Sequence, residues 1–261
     1  MWRSVSEGPK RIVPDGCVDL VVGDGSAFVA GPDTAAWSSE AEEVLTGVRF
    51  LPGRAAAVLG VAADELRDRR VPLGELWGWS LAERLVEGVW TPVSAVADRL
   101  ADVPAPDAAV AELIARLDAG VARVGEAAAE IGEAQFGSSG GKATRASAAF
   151  GGAGASRAEV VAARAEDPGL SGAVSERQLR RRFVQAVGYG PATYLRVSRF
   201  QRAVALAPHV SGLAALAAAA GYADQAHLSR ECRALTGLTP RRYFRQPSTV
   251  DVAVRDRLRS A

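Results

Sequence analysis

The 261-residue chain has only two histidines, two cysteines, two lysines and one methionine, and each scarcity narrows what it can do. His209 and His227 both lie in the back half, so no Ser-His-Asp, zinc or two-histidine constellation assembles in the front half. No enzyme activity, metal or cofactor is expected. Cys17 and Cys232 stand 215 positions apart, which offers neither a disulfide framework nor a thiolate cluster and fits a reducing cytoplasm. No glycine-rich phosphate loop follows a strand. The longest apolar run, LAALAAAA at 213–220, is too short and too alanine-rich to cross a bilayer, and MWRSVSEGPK lacks the apolar core of a signal peptide. No membrane association is expected.

What is present is an asymmetry of charge. Residues 1–156 carry 14 Lys/Arg against 22 Asp/Glu, residues 157–246 carry 14 against 6, and the sum over the chain is only +1. An acidic front joined to a basic back is the pattern of a protein whose rear meets a polyanion. Lysine occurs only at 10 and 142, so nearly all the cations are arginine.

The fold class read from the pattern is α+β: a small β-rich front region with a helical layer, a flexible tether and an all-α back domain. In CVDLVV, Val18, Leu20 and Val22 alternate with Cys17, Asp19 and Val21, as in a half-buried strand. Pro14-Asp15-Gly16, Gly23-Asp24-Gly25 and Pro52-Gly53 bound that strand and two more, Phe28–Ala30 and Val44–Leu51. The front domain is expected over 1–133, β-rich at 10–52 and helical at 54–133, with short amphipathic pieces separated by Gly60, Pro72, Gly78, Pro92, Pro104 and Pro106. A linker is expected at 134–156, rich in glycine and serine, and a loosely held tail at 247–261. No strand is visible upstream of Arg11, so the natural chain is expected to start earlier.

The back domain, 157–246, contains an internal repeat. Leu179, Arg181, Gly188, Pro191, Tyr194 and Arg196 recur as Leu228, Arg230, Gly237, Pro240, Tyr243 and Arg245, each shifted by 49. Each copy reads as an amphipathic helix stopped by glycine, then a Gly-x-x-Pro turn whose proline opens the next helix. In the second copy, Leu213, Leu216, Ala217 and Ala220 form one face of a helix ending at Gly221-Tyr222, and another helix opens near Asp224. Helix, glycine turn, helix is the helix-turn-helix pattern. Between the copies, Pro191 to Ala207 is a connector of roughly 25 Å at about 1.5 Å per residue.

These segments, VSERQLRRRFVQAVGYGPATYLRVSRFQRA and LAALAAAAGYADQAHLSRECRALTGLTPRRYFR, resemble the tandem helix-turn-helix domain of AraC/XylS-type transcription regulators over Val174–Arg245. RIVPDGCVDLVV, GVRFLPG and ELRDRRVPL also resemble the reduced, cupin-like front domain of one bacterial branch of that family. The resemblance implies a sequence-specific regulator with duplex DNA and RNA polymerase as partners, a small-molecule effector at the front domain, and a homodimer. Its mechanism would be a population shift, with the front domain altering promoter occupancy. One departure stands out: Asp167-Pro168-Gly169 falls where the first module should have Leu-Ala helix, and proline in a helix interior costs roughly 3 kcal/mol. The run Arg157–Glu166 is the available substitute.

The resemblance points Arg177, Arg180 and Arg181 of the first recognition helix toward base edges, with Gln178 and Arg182 at the flank. On the second helix Gln225, His227 and Arg230 would read bases, with Ser229 and Arg233 on phosphates. The competing readings are a merely solvated arginine face, and an internal ion pair for Arg181 and Arg230. A thiol-reactive or ligand-processing front domain centred on Cys17 is the alternative function, though Asp15 and Asp19 would disfavour a thiolate there. Those two carboxylates are expected to bond local backbone rather than a ligand, and Trp77, Trp79 and Trp90 to pack helices rather than line a pocket. A third reading has the broken first module abolish specific DNA binding. A 157–246 fragment is expected to bind duplex DNA with strong salt dependence.

Overall fold

A computed structural model describes residues 1–5, 8–23, 25–39, 44–101, 103–120, 125, 131 and 175–245. The linker at 134–156, the substitute helix at 157–166, the Asp167-Pro168-Gly169 break and the tail lie outside the described residues.

The front region is built on strands β1 (Trp2–Val5), β2 (Lys10–Ile12), β3 (Val18–Gly23), β4 (Ser26–Ala30), β5 (Trp37–Ser39), β6 (Val44–Phe50) and β7 (Arg70–Pro72). Five form an antiparallel sheet in the order β1-β6-β3-β4-β7, and β2 pairs with β5 as a separate two-stranded ribbon. The alternation of CVDLVV sets the two faces. Val18, Leu20 and Val22 turn into the core with Val29 and Phe50, while Asp19 faces the ribbon side, directly opposite Arg49 in the register. Arg49 there bridges Asp15 and Asp19, each at 2.8 Å. Gly16, Gly25 and Gly53 all adopt positive φ, at 82°, 81° and 79°, as the three turn signals require.

The sequence reading is corrected at two elements. A strand does precede Arg11: Trp2–Val5 pairs with β6, too short and too half-exposed to show as an alternation. β7 lies inside the stretch read as helical and pairs with β4 through Val29 and Val71. The helices otherwise fall where glycine and proline divide them: α1 (Ala55–Leu59), α2 (Leu73–Trp77), α3 (Trp79–Val86) and α4 (Pro92–Leu100). Thr91 caps α4 through a reciprocal bond with Ser94, and Pro92 occupies the first helical position. Trp77 is buried beneath the Arg99 guanidinium and Trp90 packs on the same core, as expected of helix packing, whereas Trp79 is 60% exposed.

Helix α5 (Ala108–Asp118) leaves this layer. Its Ala109, Val110, Leu113 and Leu117 join Ile131 in a core with Leu179, Phe183, Val197 and Phe200 of the back domain. Polar contacts fix the same arrangement. Asp118 accepts hydrogen bonds from Tyr194 at 3.0 Å and Ser198 at 2.8 Å, and its carbonyl accepts one from Arg202 at 2.7 Å. By packing, α5 therefore sides with the back domain, although it lies within the 1–133 expected for the front.

The back domain continues with α6 (Glu176–Val187), α7 (Pro191–Leu206), α8 (Leu213–Ala220), α9 (Gln225–Thr236) and α10 (Pro240–Arg245). Gly188, Gly221 and Gly237 close α6, α8 and α9 in the left-handed conformation. Among the described residues no helix is long and apolar enough to cross a membrane.

Candidate nucleic-acid interface

The two repeat copies place α6 and α9 as equivalent helices, each capped at its N-terminus by a side chain. On α6, Ser175 and Gln178 form a capping box in which Gln178 Oε1 accepts the Ser175 N–H at 3.0 Å. On α9, Asp224 accepts the His227 N–H at 2.6 Å. The inward faces are the expected ones: Leu179 and Phe183 on α6, and Leu228, Cys232 and Leu235 on α9, are all essentially inaccessible. That burial forces the arginines outward.

Arg177, Arg180 and Arg181 on α6, and Gln225, Arg230 and Arg233 on α9, are exposed. None pairs with an acidic group among the described residues, so the internal ion pair considered for Arg181 and Arg230 does not form there. The other four candidates are differently placed. Gln178 is engaged in its cap. Arg182 binds Asp107, Nε to Oδ2 at 2.6 Å, which ties α6 to the start of α5. His227 packs edge-on against Tyr222 at 5.1 Å, its Nδ1 lying 3.5 Å from the Ala223 N–H in the turn. Ser229 is half-buried.

Three acidic positions that hold this surface escaped the sequence reading. Asp107 caps α5 through the Ala109 and Val110 N–H groups while pairing with Arg182. Asp118 gathers Tyr194 and Ser198. Glu231 binds Arg196 at 2.8 Å, linking the connector α7 to α9. Asp107 and Asp118 lie in the acidic front half, where nothing local sets them apart, and of the three only Glu231 stands within the basic 157–246 stretch. Ile131 and α5 also back Leu179 and Phe183, so α6 has a packed support although Asp167-Pro168-Gly169 stands before it in the sequence.

The front region grips both α6 and α9 from their C-terminal ends. Arg67 Nη1 donates to the Gly188 carbonyl at 3.4 Å, Arg11 Nη1 to the Thr236 carbonyl at 2.8 Å, and the Ala36 N–H to the Leu235 carbonyl at 2.7 Å. The Pro14–Cys17 turn sits on α7, where Gln201 donates to the Pro14 carbonyl at 2.6 Å. Cations at the last carbonyls of a helix meet the negative end of its dipole. The opposite ends carry the caps and the exposed Arg177 and Gln225, with no hydrogen bond or ion pair from the front region among the described residues. Cys17 lies in this docked turn, 4% exposed.

α8, the Gly221 turn and α9 form a helix-turn-helix, and α6 is the equivalent of α9 in the first copy. The fold and its outward arginines define a class, the helix-turn-helix proteins that bind DNA. Residues 172–246 match the model of a helix-turn-helix domain and residues 1–72 that of a domain of unknown function, DUF6597. The back of this chain thus carries a helix-turn-helix domain, and its front a DUF6597 domain. No curated protein matches the chain. Among solved structures, ToxT from Vibrio cholerae O395 bound to (E)-4-(8-methylnaphthalen-1-yl)but-3-enoic acid is similar at 8% identity, covering 93% of this chain and 96% of its own, with a TM-score of 0.38. A second ToxT structure from the same organism gives 8%, 93%, 95% and 0.37. Such low similarity carries no weight for function.

Proposed function

We propose that the protein is a sequence-specific transcription regulator that reads duplex DNA with α6 and α9 and answers to an effector through its front domain. The observation that carries this is the exposure of Arg177, Arg180, Arg181, Arg230 and Arg233 without described ion partners, on two helices whose inward faces are filled. Exposed guanidinium forks on capped helices suit guanine O6 and N7, each bidentate contact being worth about 1–3 kcal/mol of discrimination. Gln225 suits adenine in the same way. Arg182, Gln178, His227 and Ser229 act as positioning groups or phosphate contacts at the flanks of these helices. RNA polymerase and a second copy of the chain are the partners this function requires at a promoter.

The effector reading draws support from the grip on both helix ends. A change in the front domain that moves Arg11, Ala36 or Arg67 alters the relative setting of α6 and α9, and so favours one spacing of half-sites over another. Selection of bound fragments from a random duplex pool with the full chain, followed by footprinting, tests the proposal. Two protected major-groove segments about one duplex turn apart, roughly 34 Å, are expected. Protection of one segment alone would assign reading to a single module, and binding with no sequence preference would overturn the proposal.

A further inference from the structure

A hollow of about 440 Å³ opens between β6, α1, α4 and the strap Val103–Pro106. Its volume falls within the range of small-molecule sites, roughly 300–1,000 Å³. Val58 and Val96 of the front core form its floor. On the rim, Leu51 and Leu100 leave 52% and 51% of their surfaces exposed. Apolar side chains gathered around a concave, uncovered site are the mark of a surface meant to be filled.

Among the described residues, the charged groups lining this hollow are of one sign: Arg49 and Arg54, with no carboxylate. Arg49 turns its guanidinium to the other face of the sheet, where Asp15 and Asp19 hold it. Arg54 is exposed and pairs with no described residue. An occupant therefore has an apolar body for the floor and a negative group for Arg54. A second groove, beside Trp79, is lined by Glu83 and Glu87 instead and would repel the same molecule.

The rim also leads to the DNA-facing surface. Val103–Pro106 runs directly into Asp107, the cap of α5 and the partner of Arg182 on α6. Gly53, on the opposite rim, lies so close to α5 that a Cβ there would stand 3.0 Å from Ile114 Cδ1.

We propose that this hollow binds a compact apolar molecule bearing one anionic group, and that its occupancy reaches the first recognition helix through the strap and the Asp107–Arg182 pair. The binding clause stands on the hollow alone, whereas the relay rests on the DNA-binding function proposed above. Calorimetric titration of the full chain without DNA, using adamantane-1-carboxylate and its neutral carboxamide as probes, tests the first clause. The carboxylate is expected to bind at least fivefold more tightly. Arg54→Gln should abolish that preference and leave the amide affinity unchanged. Ala57→Trp, at an exposed lining position, should fill the hollow and remove both. Absence of saturable binding, a preference that survives Arg54→Gln, or binding that survives Ala57→Trp overturns the site. For the relay, saturating carboxylate should change the affinity for the selected duplex at least threefold in the native chain and not in Asp107→Asn. An unchanged affinity with ligand bound overturns the relay, whereas a chain that binds ligand and never DNA keeps the site and overturns the regulator reading.

Discussion

Arg11 and Thr236, 225 positions apart, are joined by a 2.8 Å hydrogen bond from Arg11 Nη1 to the Thr236 carbonyl. The bond closes the C-terminal end of α9 with a cation from the front ribbon, and Arg67 does the same for α6 at Gly188, the position equivalent to Gly237 in the repeat. The front region thus touches the two helices at their C-terminal ends, at carbonyls that differ by one position in the repeat. Arg11→Ala should lower stability by about 1 kcal/mol, less than the roughly 1.5–3 kcal/mol of a hydrogen bond to a charged group because Arg11 is exposed to solvent. Urea unfolding of the full chain measures it, and an unchanged midpoint would show that the contact contributes nothing in solution.

The paired glycines separate two effects. Both Gly188 and Gly237 adopt positive φ, at 100° and 71°, so alanine at either costs about 1 kcal/mol for the left-handed backbone. Only at 188 would the added Cβ also strike the front region, 2.3 Å from Pro32 Cγ. Gly188→Ala is therefore expected to destabilise clearly more than Gly237→Ala, read as the difference in urea midpoints. Equal losses would remove the close docking of Pro32 on α6.

Asp107 has two duties, capping α5 and pairing with Arg182. Asp107→Ala should cost about 1 kcal/mol for the lost cap, whereas Asn, which also caps helices, should retain most of it while losing the ion pair. Thermal unfolding of the three proteins distinguishes the duties: identical curves for Asn and Ala would mean that the pair, not the cap, carries the effect.

Arg181→Gln and Arg230→Gln should leave stability within about 0.5 kcal/mol, as surface substitutions without described partners do. Each should weaken binding to the selected duplex by about 1–3 kcal/mol and relax preference at one base position. Binding titrations on duplexes with single base changes report this. A uniform loss across all sequences would reassign that arginine to phosphate.

A fragment starting at residue 157 is expected to fold poorly, contrary to the expectation drawn from charge, because it lacks α5 and Ile131, which share a core with Leu179 and Phe183. A fragment spanning 103–246 should show the cooperative unfolding and DNA binding that 157–246 lacks. If the shorter fragment matches the longer in both, α5 is dispensable to the reader.

Cys17 and Cys232 are both buried, and burial pushes the Cys232 thiol above its ordinary range. Iodoacetamide should modify neither in the native chain and both in concentrated guanidinium, with mass spectrometry locating the adducts. Rapid native alkylation of Cys17 would revive a thiol-reactive front domain.

Helices α6 and α9 were legible in the sequence because their code is local. Leu179 and Phe183 four apart, the stopping Gly188 and the Pro191 restart specify helix, face and end within one stretch of chain, and the 49-residue repeat doubles that signal. β3 was legible for the same reason, since Val18, Leu20 and Val22 alternate in a run long enough to be seen. β1 and β7 were not, because four- and three-residue strands acquire their identity from the partners β6 and β4, not from their own pattern.

The residue types on the outward face of α9 came from periodicity alone: once Leu228 and Cys232 must be inside, Arg230 and Arg233 have only the outside left. Which of those polar groups are free was a tertiary matter. Arg182 and Arg181 are neighbours of like chemistry, yet Asp107, 75 positions before Arg182, engages one and leaves the other exposed. The allegiance of α5 and the front region's grip on the ends of α6 and α9 were likewise decided by packing. They depend on contacts between segments far apart in sequence, formed only when the two cores come together, and a pattern of near neighbours carries no trace of them.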